Sequence, residues 1–164
     1  MKKTALVLSS ILLLASCGGA QPVTKEAALE IAKGYDTADV AYKSGKREAK
    51  FEFNFGSMPA EMQEQMKGSY KDKTTDIAEA DVKEYRLGEA MLSQLYVQYS
   101  NPEVKANGKA LEISATAEQG DAKMTSSMKI DENGYILESV MKQEGKYGEY
   151  TISITEKDTF TWVK

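Results

Sequence analysis

The chain has 164 residues, 21 basic and 25 acidic, and a net charge of −4 with no histidine. That length suits one domain able to bury a core without covalent staples, and the acidic balance excludes binding to nucleic acid or to an anionic membrane face through bulk electrostatics. The lack of histidine removes the commonest general base and metal ligand, and a lone cysteine, Cys17, allows no intramolecular disulfide.

Met1-Lys2-Lys3 gives a short basic start, and Ala5 to Ala15 is an almost unbroken apolar run. A run of about eleven residues is too short to span a bilayer, which takes about 20, but it fits the core of a signal peptide. Leu14-Ala15-Ser16-Cys17 closes the run. These four residues resemble the lipobox of a bacterial lipoprotein signal peptide. The resemblance implies cleavage before Cys17, acylation of Cys17, export, and anchoring of the chain to a membrane by lipid. Two or three acyl chains hold a protein durably, since each buried methylene contributes about 0.8 kcal/mol. Gly18 is not the aspartate that keeps lipoproteins at the inner membrane in many diderm bacteria, so the resemblance implies outer-membrane or outward-facing placement where the cell has an outer membrane. Residues 1–16 are thus expected to be a signal peptide, leaving a chain of 148 residues with a net charge near −6. Residues 17–23 are expected to form a flexible tether reaching no more than about 25 Å, with a single domain over 24–164.

Thr24 is placed to cap a helix, with Pro22 just outside it and Glu26 in its first turn. Ala28, Ile31, Tyr35, Ala38 and Tyr42 follow helical spacing, and Ser44-Gly45 is expected to end the segment. The stretch Val23 to Ala32 is also similar to the start of PepSY modules, whose spacing to the following strands is not kept. Ala49, Phe51, Phe53 and Phe55 alternate with polar residues, the pattern of a half-buried strand. Ser57 is expected to cap a short helix with Pro59 in its first turn, and Met58, Met62 and Met66 fall on one stripe. Residues 68–79 read as a polar loop. Residues 80–97 read as a second long helix, carrying Val82, Tyr85, Leu92, Leu95 and Tyr96, although 95–99 alone could be a strand. Asn101-Pro102 ends it.

From Val104 onward the period changes to two. Asn107-Gly108 is a hairpin signal. Leu111, Ile113, Ala115 and Ala117 mark the apolar face of one strand, and Ala122, Met124, Ser126, Met128 and Ile130 that of the next. After a turn at Asp131-Glu132-Asn133-Gly134 come Tyr135, Leu137, Ser139 and Met141, then Tyr150, Ile152 and Ile154, with Phe160 and Trp162 in a last short strand. Four successive half-apolar strands predict an antiparallel meander, whose apolar side the helices must cover. The fold class is therefore α+β, an antiparallel β-meander sheet with helices packed on one face.

No residue pattern points to catalysis. Cys17 is committed to the anchor, and paired carboxylates such as Glu61 with Glu64, or Glu79 with Asp81, lie in polar stretches with nothing to raise a pKa. The Asp131–Gly134 turn lacks the spacing of a calcium loop. No enzyme activity, metal site or cofactor is expected. What stands out is the apolar face itself: Met58, Met62, Met66, Met124 and Met128, with Ala115, Ser126 and Ser139 as small side chains among them. Methionine adapts to irregular apolar partners, and small residues on a sheet face mean close helix packing or an unfilled cavity.

The order helix, strand, helices and meander behind a lipobox is loosely similar to lipid carriers of the lipoprotein-localisation and mycobacterial lipoprotein type. It shares no motif with them and places two helices where they have early strands. The resemblance implies an incomplete barrel around helices that binds acyl chains or lipids between its layers. Two readings follow. The first is a membrane-anchored, non-enzymatic binding module for an apolar ligand or lipid held between sheet and helices. The second is a structural or protein-interaction lipoprotein of the cell envelope with a dry core, using Tyr147, Tyr150, Phe160 and Trp162 as a contact patch for an envelope protein.

Overall fold

The alternation in the second half of the sequence becomes one antiparallel sheet. The computed structural model describes residues 19–99 and 102–164. Its strands are β1 (Gln21–Pro22), β2 (Ser44–Asn54), β3 (Lys73–Ile77), β4 (Glu103–Asn107), β5 (Ala110–Gln119), β6 (Ala122–Ile130), β7 (Ile136–Tyr147) and β8 (Tyr150–Val163). They lie in the order β1-β4-β5-β6-β7-β8-β2-β3. The uninterrupted meander runs from β4 to β8; β2 and β3 extend it beyond β8, and β1 beyond β4. The helices α1 (Lys25–Thr37), α2 (Ala60–Lys67) and α3 (Glu89–Gln98), with a 3-10 segment over Glu79–Tyr85, complete the α+β fold.

Two apolar clusters hold helices to one face of the sheet. Ala28, Ala32 and Tyr35 of α1 and Leu92 of α3 pack with Leu87 on Val104, Leu111, Ile113 and Ile130. Beside this, Val82 of the 3-10 segment, Ile77, Tyr135 and Phe160 form a second cluster with Tyr42, Tyr85 and Trp162 at its margin. Phe160 and Trp162 stack with centroids 5.9 Å apart, and Tyr42 stacks on Trp162 at 5.7 Å. Among the described residues no helix is long and apolar enough to cross a membrane.

Several expectations change at this level. Thr24 does cap α1, its Oγ1 accepting from Ala27 N at 3.3 Å, but the helix stops at Thr37. Tyr42 leaves helical spacing to join the aromatic cluster and donate to Asp131 Oδ2 at 2.6 Å, and Ser44-Gly45 begins β2 rather than ending a helix. At α2 the capping position is held by Pro59, with no side-chain cap. The expected loop over 68–79 contains β3, whose one buried residue is Ile77. The expected helix over 80–97 is broken at 86–88: Leu87 N donates to Gly134 O at 2.7 Å, and the Arg86 guanidinium reaches Asn133 O and Ala38 O. These tertiary bonds replace helical ones. Residues 95–98 are helical. Gln21 and Pro22, at the end of the expected tether, pair with Ala106 and Lys105 on the sheet edge.

Between β6 and β7 the register shifts at Lys129 and Ile130, so that Ile130 faces Ile136 while Met128 faces Ser139. Leu137 becomes the extra residue of a bulge and points outward, 40% exposed. Ile136 takes the inward place expected of Leu137. Phe160 and Trp162 belong to the unbroken β8 rather than to a separate strand.

Candidate functional site

The face of the sheet that carries the helices can be read row by row, because directly paired residues share a face. Beyond the core row of Leu111, Ile130 and Ile136 stands the row Ala49, Asp158, Ser139, Met128, Ile113 and Val104. Next comes Phe51, Glu156, Met141, Ser126 and Ala115, and then Phe53, Ile154, Gln143, Met124 and Ala117. Gly145 and Ile152 follow, and Tyr147 with Tyr150 close the end. The outermost rows carry no helix of either core cluster.

Those outer rows form a groove of about 330 Å³, lined by the apolar Ala117, Ala122, Met124, Gly145, Ile152 and Ile154 and by Gln119, Lys123, Gln143, Glu144, Lys146 and Tyr147. Gly145 leaves its floor open. A Cβ there would come no closer than 3.8 Å to Ala122, so the backbone does not require glycine and the missing side chain is space. At the groove's outer end Lys123 pairs with Glu118 at 3.6 Å and Lys146 with Asp121 at 3.2 Å.

Beyond the groove's inner end, one row past Ile154 and outside its lining, the same sheet face turns polar. Arg47 Nη2 donates to Asp158 Oδ2 at 2.7 Å and to Glu156 Oε1 at 3.1 Å. The side chains of Arg47, Glu156 and Asp158 are 34%, 27% and 14% exposed. The bond to Asp158 outweighs the opposing effect of burial and holds the guanidinium pKa above its usual value. Arg47 Nε and Asp158 Oδ1 are buried without a partner among the described residues. Beside this trio stands an aromatic wall: the Tyr70 ring lies 5.5 Å from Phe51 and 5.8 Å from Phe53, and Phe53 stacks on Phe55 at 5.3 Å.

The sheet brings Ala115, Met124, Ser126, Met128 and Ser139 onto this one face. Of these Met124 lines the groove, Ala115 is buried, and Ser126, Met128 and Ser139 lie half-buried between groove and core. Met58 is buried after β2, while Met62 and Met66 are half-buried on α2; none of the three lines the groove. Cys17 lies outside the described residues. Phe160 and Trp162, read as half of a surface patch, sit in and beside the second core cluster, whereas Tyr147 is exposed at the groove's edge. Arg47, Glu156 and Asp158 were missed, although the signal was present: 156 and 158 continue the parity of Ile152 and Ile154, and charges on an apolar parity mark a site. Among the described residues no group of three or more potential metal ligands occurs. No protein-family model, curated protein or solved structure matches this chain.

Proposed function

We propose that this chain is an exported, lipid-anchored protein whose folded part is a non-catalytic binding module for an apolar ligand or lipid chain. The anchoring rests on the resemblance of Leu14-Ala15-Ser16-Cys17 to a lipobox. The binding role rests on one observation: an open apolar groove of about 330 Å³ at the end of the sheet that the core leaves uncovered. That is within the roughly 300–1,000 Å³ range of small-ligand sites. The ligand then lies on the sheet beyond the helices rather than between the two layers.

Residues 19–164 hold every described strand, helix and core cluster, and serve as the test protein. N-phenyl-1-naphthylamine, a neutral probe that fluoresces in apolar surroundings, is expected to bind saturably. Gly145→Val fills the floor of the groove while replacing a glycine in a strand interior, where glycine weakens the sheet. It should weaken probe binding at least about tenfold, or about 1.4 kcal/mol, with stability unchanged or raised. Equal binding by the two proteins would refute the groove. Anchoring is tested separately: labelled palmitate should enter the full chain and be lost in Cys17→Ser.

A further inference from the structure

The two ends of the groove differ in charge. At the outer end each lysine has an acidic partner, Lys123 with Glu118 and Lys146 with Asp121, and Lys142 pairs with Glu144 at 2.7 Å. Just beyond the inner end, past the lining residues, one cation, Arg47, serves two carboxylates. Asp158 holds the shorter of the two bonds and is the more buried acid. Glu156 shares the same Nη2 at the longer distance and keeps more of its surface open. It stands one row from Ile154, about 7 Å along the strand, where the apolar lining ends.

The neighbours of Glu156 add a second signal. Directly across β2 from it is Phe51, and across β7 is Met141, with the Tyr70 ring against Phe51. A half-buried carboxylate beside aromatic rings is a receptor for a cation, which gains both from the charge and from the ring faces. A carboxylate ligand would instead meet an excess negative charge in a poorly solvated place. From this we infer that the ligand of the groove is a cationic amphiphile, its ammonium group held by Glu156 beside Phe51 and its alkyl chain lying over Met124, Gly145, Ile152 and Ile154. The inference rests on the groove binding apolar chains, as proposed above.

The test is displacement of N-phenyl-1-naphthylamine from residues 19–164 by decylamine and by decanoate at pH 7, below the concentrations at which either aggregates. Decylamine should displace the probe at about tenfold lower concentration than decanoate. Glu156→Gln should abolish that preference, read as the ratio of the two displacing concentrations within the variant, so that any change in the probe's own affinity cancels. Glu52→Gln, an exposed acid on the opposite face of β2, should leave the preference intact. Equal displacement by the two amphiphiles in the unaltered protein would overturn the cationic assignment and leave the groove standing. A preference that survives Glu156→Gln would also overturn it, tracing the effect to the net negative charge of the chain. Failure of the naphthylamine to bind at all would overturn the assignment and the groove together.

Discussion

Gly134 makes the most exacting test of how the helices are seated on the sheet. Its φ is +91°, and a Cβ at this position would stand 2.6 Å from Tyr35 Cγ and 2.8 Å from Tyr35 Cβ. Tyr35 cannot retreat. It is 2% exposed in the larger core cluster, and its hydroxyl donates to Lys109 O on the β4–β5 turn. Gly134 itself is tied by a 3.0 Å bond from its N to Asp131 O and by its carbonyl, which accepts from Leu87 N. Gly134→Ala thus combines left-handed backbone strain, about 1–2 kcal/mol, with overpacking, about 1–3 kcal/mol. The expected loss is about 3–4 kcal/mol, a large share of the roughly 5–15 kcal/mol that holds a domain folded. Gly108→Ala is the matched control, since φ there is +61° and no atom lies within 4 Å of the added carbon; it should cost about 1 kcal/mol. Urea denaturation of both variants reads the difference directly, and the melting temperature of Gly134→Ala should fall by about 6–15 °C. Equal losses in the two variants would refute the claim that Tyr35 is pinned against this turn.

Two further outcomes follow from the aromatic cluster. Tyr135 is fully buried and its hydroxyl has no partner among the described residues; Tyr135→Phe should therefore hold or raise stability, by up to about 1 kcal/mol, and a loss beyond that in urea denaturation would show that the hydroxyl is satisfied. Tyr42 is pushed up to about 12 from 10.0, chiefly by burial and next by its bond to Asp131. A native phenol with a raised pKa stabilises the fold fully below pH 10, and this contribution is lost as the pH climbs toward 12 while the unfolded chain ionises. Measured against Tyr42→Phe, the wild-type protein should thus lose its advantage between about pH 10 and pH 12; parallel pH profiles would refute the assignment.

The strands of the meander were legible because one face of each is wet, so sequence parity reports directly on burial. Where tertiary bonds compete with local pattern, residue spacing misleads. Val82, Tyr85, Leu92 and Leu95 have helical spacing, but Arg86 and Leu87 are drawn onto the Asp131–Gly134 turn and split the segment in two. The strand β3 escaped because Lys-Thr-Thr-Asp-Ile has almost no apolar content and is held by its pairing with β2. Leu137 was misplaced because one bulged residue reverses parity, and nothing in the local composition announces a bulge. The site was half legible. Small and methionine side chains on a sheet face pointed to incomplete filling. The Met58–Met66 stripe has the same side-chain chemistry but does not line the groove.

Strand length leaves room for the groove beyond α1 and α3. The 14 residues of β8 extend about 46 Å, whereas the 13-residue α1 is about 20 Å long and the 10-residue α3 about 15 Å. No placement of these two helices covers the full length of the sheet. The uncovered end contributes little to the core, since residues 118–123 and Tyr147 are all exposed. It should therefore be removable. Deleting Glu118, Gln119, Ala122 and Lys123 joins Ala117 and Met124 through the existing Gly120-Asp121 turn, preserves the pairing type, and removes Gln119, Ala122 and Lys123 from the groove. The Lys123–Glu118 pair is lost with them, and exposed pairs contribute about 0–1 kcal/mol. Stability in urea should fall by no more than about 1 kcal/mol, while N-phenyl-1-naphthylamine binding drops at least about tenfold. A shortened protein that unfolds would make the long hairpin part of the fold's own support. A shortened protein that keeps both its stability and its probe affinity would place the apolar site elsewhere on the molecule.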